Sequence, residues 1–555
     1  MIRLDLREVP GFPLLVLDYV HNFSRLSPFF AVDPHAPGVY RTQAERCDTL
    51  AYPRVALRDA LLAQQAGWNA PPVVYRRIDD LCARQGLAVF TGQQTGLFGG
   101  PLFTLYKALT TVSLAARLQE EMRRPVVPLF WLASEDHDIA EADHVHLADR
   151  KGGLTRVRHA TWGSPPGFIP ANLRLGPSIQ ETLSQLRDLL PTTEFTASSW
   201  DALTRAYTPN RTLAEAFACW MVHLLGETGL VLVDGADPRL KRLAARIFRR
   251  ELAEAPRTSR EILDASESLR ALGYPAQIEA RADGVNCFLL QEGRRALVRD
   301  RTGVRLRDSG ELLSLSTLRQ MAEETPERFS PNVALRPVVQ DALFPTLAYV
   351  AGPGELAYFA QLRSVYASFD VPMPVVVPRA SLSLLEPRMS QLLERFHLGL
   401  SDLIVEPEQL ISRVLRTQLP PDLEATLAGA RTQIDEIFLR VGESVAAVDP
   451  TLKATVGQTS GHIKGHLDQL ERKAVQALKR READTRQQLQ RLREALMPGG
   501  RLQERVYPAL PYLLKYGPRF IQTLRAQIDG PGWEHQLMTI NVDGERQGEG
   551  GGGPP

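Results

Sequence analysis

Cysteine is scarce in this chain of 555 residues, and no Cys-x-x-Cys pair occurs. The four cysteines are widely scattered, at Cys47, Cys82, Cys219 and Cys287. This spacing argues against a disulfide scaffold and against a structural zinc site. No apolar run approaches the roughly 20 residues of a membrane-spanning helix, and the N-terminus lacks the basic and apolar segments of a signal peptide. We therefore expect a cytoplasmic protein.

An excess of charge of one sign is also absent. The chain has 65 Lys and Arg residues against 64 Asp and Glu residues, for a formal net charge of +1. Because no global field favours nucleic acid or an anionic membrane, we expect neither as a partner. The hydrophobic content of 44% is normal for a globular protein. The length predicts two to four structural units.

The most informative segment runs from Gly86 to Asp138. An apolar run at 87–90 leads into the glycine-rich stretch Thr91–Pro101, an amphipathic helix over 102–122 and a second apolar run at 126–133. This pattern predicts a strand, a turn, a helix and a second strand. Open parallel sheets bind ligands at the edge where the carboxyl ends of their strands lie. The glycine spacing matches neither the dinucleotide fingerprint nor the P-loop. We expect a ligand-binding turn; the alternative is merely a tight connection.

Further strand–helix units predict a parallel α/β sheet. Residues 229–234 precede a helix to about residue 252, and residues 347–351 precede a helix to about residue 369. Another buried strand is expected at 374–378. We place this core at residues 1–385, with insertions at about 151–225 and 255–335.

The pattern changes after Pro387. Near-heptad apolar spacing from Leu423 to Val448, a break at Asp449-Pro450 and a second apolar seam to Leu496 predict an antiparallel coiled-coil hairpin. Polar residues at 482 and 485 interrupt the second seam. We expect a helical coiled-coil domain at 386–500, a C-terminal segment at 501–540 that packs on the core, and a disordered tail at 541–555.

Ionisable residues follow the second strand. Glu135, Asp136, His137 and Asp138 come directly after it, and Asp143, His144 and His146 lie nearby. Carboxylates beside an imidazole tune a general base near neutral pH or hold a divalent cation. Alternatively, His144 and His146 simply alternate along a strand. We predict no bound structural metal.

A second glycine turn, Gly352–Glu355, also follows an apolar strand and precedes a helix. We therefore expect the two turns to face each other across a crevice. Arg336 precedes this unit and is suited to clamp a carboxylate; a structural ion pair is the alternative. Arg379 and Ser381 follow the last strand at the same edge.

Together these segments resemble the cysteine ligase (cysteine-adding enzyme) family of bacillithiol biosynthesis. The resemblance rests on Thr91–Thr104, Lys107, Phe130–Asp138, Asn332–Asp341, Gly352–Tyr358, Val377–Ser381, His466–Arg472, Leu502–Arg505 and Tyr516–Ile521. Two departures occur: Ser134 stands where glycine is expected, and Phe103 where tyrosine is usual. The latter removes one hydroxyl contact.

The resemblance implies a Rossmann-like core akin to class I aminoacyl-tRNA synthetases, with connecting insertions and a coiled-coil domain that makes a homodimer. It implies a ligase that joins cysteine to the amine of glucosaminyl-malate. The alternative is a nucleotide-binding scaffold or a transferase in low-molecular-weight thiol metabolism. ATP with Mg²⁺ is the candidate cosubstrate, although the His-x-Gly-His and Lys-Met-Ser-Lys-Ser signatures of those synthetases are absent.

The predicted site has three parts. The expected catalytic residues are His137, Asp136 and Asp138. The expected cofactor-binding residues are Thr91, Gly92, Gln93, Gln94, Gly96, Gly99, Lys107, Gly352 and Gly354. The expected substrate-binding residues are Asn332, Arg336, Glu355, Arg379 and Ser381.

Overall fold

The computed structural model describes residues 2–136, 138–148, 153–163, 169–291, 293–301, 303–418 and 423–540. His137 and the tail at 541–555 lie outside the described residues. The chain packs into two units. The first is formed by Met1–Leu385 and Arg501–Pro555, and the second by Glu386–Gly500.

Strands and α-helices are numbered along the chain. The strands in the described residues are β1 (Ile2–Asp5), β2 (Leu87–Gln93), β3 (Val126–Leu132), β4 (His144–Ala148), β5 (Leu154–Arg158), β6 (Val231–Asp234), β7 (Gly284–Leu290), β8 (Arg294–Arg299), β9 (Val304–Leu306), β10 (Leu312–Leu313), β11 (Phe329–Pro331), β12 (Thr346–Ala351), β13 (Val375–Pro378), β14 (Ser381–Leu385) and β15 (Glu534–Thr539). The helices there are α1 (Leu14–His21), α2 (Val39–Asp48), α3 (Arg54–Gly67), α4 (Pro72–Cys82), α5 (Leu102–Met122), α6 (Ile139–Ala142), α7 (Ile179–Leu189), α8 (Thr196–Ala206), α9 (Leu213–Leu225), α10 (Pro238–Glu254), α11 (Arg257–Ala271), α12 (Leu315–Glu324), α13 (Leu335–Leu343), α14 (Pro353–Phe359), α15 (Arg363–Ser368), α16 (Pro387–Phe396), α17 (Pro407–Gln418), α18 (Leu423–Ala446), α19 (Lys453–Leu496), α20 (Leu510–Tyr516) and α21 (Arg519–Gln527). Within the described ranges, none of these helices combines the length and the apolar character that crossing a membrane requires.

The core of the first unit is a parallel sheet with strand order β13-β12-β2-β3-β6. All seven residues of β3 and all of β12 are buried, as expected for parallel strands covered by helices on both faces. Helix α5 packs on β2 and β3. The predicted α/β class with a Rossmann-like parallel core is therefore confirmed.

The direction of winding reverses beside β2. From β2 the chain passes through α5 to β3 and then reaches β6, whereas β12 and β13 lie on the other side of β2. Ligands of open α/β sheets bind at such a reversal, outside the carboxyl ends of the strands. The fold therefore puts the candidate site beyond the ends of β2 and β12.

Elements outside this sheet interrupt the strand–helix alternation. Strands β4 and β5 form an antiparallel pair that precedes α7, α8 and α9. Strands β7 to β11 form a separate antiparallel sheet of order β10-β9-β8-β7-β11. The apolar run at 287–290, within the second expected insertion, is part of β7.

The helix expected from Gly352 to about residue 369 is instead two helices, α14 and α15. Between them lies Gln361, whose buried side chain accepts hydrogen bonds from the backbone N–H groups of Gln277 (2.9 Å) and Ile278 (2.8 Å). Its Nε2 donates to the Ile278 carbonyl (3.0 Å). The turn at Gln361 thus fixes a loop that contributes to the candidate site.

The C-terminal segment returns to the first unit. Strand β15 pairs with β14 in parallel and with β1 in antiparallel fashion. Before it, Gln503 accepts a hydrogen bond from the backbone N–H of Leu384 (2.8 Å) and donates to its carbonyl (3.1 Å). Residues 503–505 are therefore held against β14.

The second unit contains a long helical hairpin of α18 and α19. Arg431 pairs with Asp468 at 2.9 Å, and Asp435 pairs with Lys464. Residue number rises along one helix as it falls along the other, so the helices are antiparallel, as the heptad pattern predicts. Helix α19 runs unbroken from Lys453 to Leu496, and Thr485 within it is buried. The polar interruptions at 482 and 485 therefore do not end the helix.

Candidate functional site

A cavity of 680 Å³, hereafter the cleft, opens at the carboxyl edge of the core sheet. Its volume lies within the range of small-molecule and cofactor sites. The predicted site residues that line it are Gly92, Gln93, Gln94, Lys107, Asp136, Asn332, Arg336, Gly352, Gly354, Glu355 and Arg379. Other predicted residues, Thr91, Gly96, Gly99, Asp138 and Ser381, are not part of this lining. His137 lies outside the described residues.

Lys107 joins the two glycine turns. Its buried ammonium donates to the carbonyl oxygen of Gly92 (2.7 Å) and to Oε1 of Gln93 (2.8 Å), and it pairs with Glu355. Burial lowers the pKa of Lys107, and the Glu355 carboxylate opposes that shift. Three acceptors match the three N–H groups of an ammonium. Lys107 therefore braces the turns against each other and has no donor left for a ligand.

Glu355 completes this brace from the second turn. Its Oε2 accepts a hydrogen bond from the Gly352 backbone N–H (2.7 Å), and its Oε1 accepts one from the Tyr349 hydroxyl (2.8 Å). A Cβ on Gly92 would lie 3.1 Å from that hydroxyl oxygen. Glycine at position 92 thus allows β2 and β12 to pack closely at the edge of the cleft.

The middle of the glycine-rich loop turns away from the cleft. Phe98 is buried with φ of 52° and packs edge-on against Tyr207 at 4.8 Å. A Cβ on Gly99, whose φ is +93°, would come within 3.0 Å of Trp220. The first N–H of α5, on Leu102, donates to the Tyr507 carbonyl (2.8 Å). The middle of the loop and the start of α5 are therefore engaged by protein groups. Only the first part of the loop, Gly92 to Gln94, lines the cleft.

The acidic cluster after β3 divides into a cleft-lining part and a structural part. Asp136 lines the cleft and accepts a hydrogen bond from Gln94 Nε2 (2.7 Å). Glu135 also lines it and pairs with buried Lys241 at 2.5 Å. Asp143, by contrast, is buried and accepts a hydrogen bond from Arg158 Nε (2.6 Å). His144 contacts the same carboxylate at 3.0 Å, in agreement with the structural alternative for that histidine.

Ser134, which stands where glycine is expected, donates a hydrogen bond to Asp234. Burial raises the pKa of Asp234 to about 6. Phe103 lines the cleft with its ring 5.4 Å from the guanidinium carbon of Arg379. Both departures are thus accommodated by contacts within the protein.

Arg336 is fixed by aromatic hydroxyls. Its guanidinium donates to the hydroxyl oxygens of Tyr358 (3.0 Å) and Tyr349 (3.3 Å) and to Oε1 of Gln340 (3.1 Å). Asn332 accepts hydrogen bonds from two backbone N–H groups at the start of α13 and donates to Asn286 (2.9 Å). Both side chains border the cleft from positions set by their neighbours.

Arg379 forms a buried bidentate ion pair with Glu504, at 2.6 and 2.9 Å. Glu504 is fully buried and also accepts a hydrogen bond from Ser381 Oγ (3.0 Å). Ser381 in turn contacts His535 Nδ1 at 2.8 Å. Ser381 therefore belongs to a polar network behind the cleft, since its hydroxyl faces Glu504 and His535.

Several cleft-lining residues are missed by sequence reasoning. They are Glu141, Gln277, Glu279, Phe288, Arg294, Tyr349, Tyr358 and Arg505. Arg505 belongs to the stretch Leu502–Arg505 that contributes to the resemblance, but nothing local in that stretch marks it as part of a site. Among the described residues, no group of three or more His, Cys, Asp or Glu side chains is arranged to hold a metal ion.

Comparison with known proteins covers nearly the whole chain. Residues 4–380 match the family model described as "Bacillithiol biosynthesis BshC, N-terminal Rossmann-like domain", and residues 382–540 match its "C-terminal coiled-coil domain". Curated relatives named "Putative cysteine ligase BshC" are similar over almost their full length. The protein from Salinibacter ruber is 35% identical over 96% of this chain and 97% of its own. Those from Chlorobaculum tepidum and Koribacter versatilis are each 33% identical, over 95% and 97% of this chain and 97% and 99% of their own. The chain therefore belongs to the BshC family of bacillithiol biosynthesis.

Proposed function

We propose that this protein is the ligase that joins the carboxyl group of cysteine to the amine of glucosaminyl-malate, the last step in the formation of bacillithiol. The curated relatives carry the name of a cysteine ligase, which supports an enzyme of this kind. The observation that carries the proposal is the cleft at the reversal point of the sheet, where the two glycine turns, Asp136 and several arginines meet.

The chemistry has two demands. A free carboxylate must be activated before an amine attacks it, and we propose Mg·ATP as the cosubstrate. The cysteine carboxylate displaces pyrophosphate to form an acyl-adenylate. The amine then attacks the acyl carbon, AMP leaves, and a proton is lost to a base. The volume of the cleft is large enough for a nucleotide together with an amino acid.

We assign the base to His137, oriented by Asp136 or Asp138, because a base near neutral pH suits an amine nucleophile. The hydrogen bond from Gln94 to Asp136 supports this role, since it holds the carboxylate next to the first glycine turn. We propose that Gly92, Gly352 and Gly354, which have no side chains, let the nucleotide approach the backbone closely, with Gln93 beside them. Lys107 and Glu355 support those contacts from behind.

The alternative, a nucleotide-binding scaffold or a transferase, makes different predictions for the same experiment. Purified protein is incubated with glucosaminyl-malate and cysteine, with and without Mg·ATP, and products are identified by mass spectrometry. Bacillithiol with release of AMP supports the adenylating ligase. Bacillithiol without ATP overturns the proposed activation step, whereas ATP binding with no product from folded protein favours the scaffold.

His137→Asn tests the assignment of the base. We expect a fall in kcat of roughly 100-fold or more with little change in the KM for ATP. Full activity in this variant would contradict the role proposed for His137.

A further inference from the structure

Arg505 lines the cleft from a backbone segment that hydrogen bonds hold on both sides. The preceding residues Gln503 and Glu504 both bind the β14 region: Gln503 through Leu384, and Glu504 through Arg379, Ser381 and the Leu382 N–H at 3.1 Å. Just after it, the carbonyl of Tyr507 accepts the first N–H of α5. The backbone on either side of Arg505 is thus held in place, and its side chain lines the cleft.

The guanidinium of Arg505 makes no hydrogen bond or ion pair with the part of the chain that the structure describes. The other cleft-lining arginines differ. Arg379 is neutralised by Glu504, and Arg336 donates to two tyrosines and to Gln340. Arg294 donates to Ser330 (3.0 Å) and to the Pro331 carbonyl (2.6 Å). Arg505 therefore has all its donors available for a ligand.

The charges around Arg505 favour an anion. Burial lowers the pKa of Arg505, and the neighbouring positive charge of Arg379 lowers it further, while Glu504 opposes both effects. Glu504 is already shared between Arg379 and Ser381. A bound carboxylate would restore the balance of charge at this position and accept a planar pair of hydrogen bonds from the guanidinium.

The balance of charge differs between the two ends of the cleft. Glu135, Asp136 and Glu141 line it after β3, with Arg294 near the first two, whereas Arg379 and Arg505 line it beside β13 and β14. In the strand order β13-β12-β2-β3, these ends lie on opposite sides of the reversal between β12 and β2. Glucosaminyl-malate is charged in the same way, with an ammonium on the sugar and two carboxylates on the malate. In cysteine the ammonium and the single carboxylate are attached to the same carbon atom, and ATP carries no ammonium group.

We propose that Arg505 binds the malate carboxylates of the acceptor substrate and so orients its amine toward Asp136. This inference rests on the proposed function, and it assigns the malate end to Arg505 instead of to Arg336 or Arg379, whose guanidinium groups are already engaged.

The test compares Arg505→Gln and Arg505→Lys with a matched control, Arg519→Gln, which changes an exposed arginine of the same C-terminal segment outside the cleft. Binding of glucosaminyl-malate and of its malate dimethyl ester is measured by calorimetry, and the KM of each substrate is measured by product formation. Thermal melting of each variant checks folding, and we expect little change because Arg505 makes no side-chain hydrogen bond in the described structure.

We expect the Kd and KM for glucosaminyl-malate to rise roughly 10- to 100-fold in Arg505→Gln, because a charged hydrogen-bonded contact is lost. Arg505→Lys should be intermediate, and Arg519→Gln should match the wild type. The KM values for cysteine and ATP should stay within about twofold of the wild type, because neither substrate loses a hydrogen-bonded contact with Arg505. The dimethyl ester should bind wild type and Arg505→Gln equally weakly.

Two results with the Arg505→Gln variant overturn the inference: an unchanged Kd for glucosaminyl-malate, or a rise confined to the KM of ATP or cysteine. Ligation that proceeds with either result leaves the proposed function standing. Binding of glucosaminyl-malate that depends on Arg505, in a protein that forms no product, supports the inference and contradicts the proposed function. Failure of the wild type to bind glucosaminyl-malate overturns the inference.

Discussion

Lys107 and Arg505 show how two cations in one cleft differ in role. Lys107 donates to two oxygens of the first glycine turn and pairs with Glu355 in the second, so it joins the end of β2 to the start of α14. Arg505 has no such partners among the described residues, although its backbone is held firmly. A fully bonded cation is suited to bracing a site, whereas an unbonded cation on a fixed backbone is suited to binding a ligand.

Asp136 offers a prediction for catalysis. Asp136→Asn keeps the size of the side chain but removes the negative charge beside His137. We expect kcat for bacillithiol formation to fall roughly 100-fold, in the range of general-base effects, with unchanged thermal stability. Asp188→Asn, at an exposed position of α7, is the control. Equal activity of both variants would remove Asp136 from the proposed catalytic group.

His535 offers a prediction for pH dependence. Its ring is buried between Ser381 (2.8 Å) and Ser383 (3.0 Å), and burial lowers its pKa to about 4, against 6.5 in the unfolded chain. The unfolded state therefore binds more protons in this window. The contribution of the neutral His535 ring to the free energy of unfolding is therefore present above pH 6.5 and is lost as the pH falls toward 4.

His535→Asn tests this sign, because asparagine does not titrate and still reaches one serine. From about pH 7 to about pH 5, the wild type should lose about 2 kcal/mol more of its free energy of unfolding than the variant does. Urea denaturation at both pH values measures the difference. Equal losses in the two proteins would show that His535 does not titrate in this way.

At the scale of elements, the C-terminal segment completes the core. Strand β15 lies between β1 and β14 and joins them into one sheet, and Gln503 and Glu504 bind β14 before the chain reaches α20. Elements from both ends of the first unit's sequence therefore meet in one sheet. Arg379 and Glu504, 125 residues apart, form the buried link.

Glu504→Gln should break that link. The variant leaves the guanidinium of Arg379 buried beside a neutral amide, and removal of one partner of a buried ion pair costs about 3–5 kcal/mol. Chemical denaturation measures the loss. Glu534→Gln, which removes an exposed pair with Arg3, should change stability by less than about 1 kcal/mol. Similar values for both variants would show that the buried pair does not stabilise the segment.

At the scale of the whole molecule, we propose a homodimer formed through the coiled-coil domain. Large apolar side chains on the helical hairpin are exposed in the single chain, among them Leu439 and Leu470. Exposed apolar surface of this kind is typical of interaction sites.

Light scattering of the full chain tests this proposal. We expect a dimer for the wild type and for the control Thr432→Glu, an exposed polar position of α18. The double variant Leu439→Glu and Leu470→Glu should be monomeric, because a carboxylate is costly to bury in an apolar interface. A monomeric wild type, or a double variant that remains a dimer, would contradict the proposal.

Much of this architecture is determined locally and can be predicted from the sequence alone. The strand at 87–93, helix α5 and the helical hairpin follow from apolar periodicity, and the two turns follow from glycine, which permits close backbone packing. The sequence also predicts that these turns meet, because parallel strands present their carboxyl ends at one edge.

The tertiary structure alone decided which side chains are engaged and which are available. Nothing near Lys107 in the sequence indicates that Glu355 satisfies it, and nothing near Arg379 indicates Glu504. The middle of the glycine-rich loop carries the sequence features of a ligand-binding turn, yet Phe98 and Gly99 pack against Tyr207 and Trp220. The physical reason is that an ionic side chain takes its role from the charges and the burial around it. Those surroundings come from residues more than 100 positions away, which no local pattern encodes.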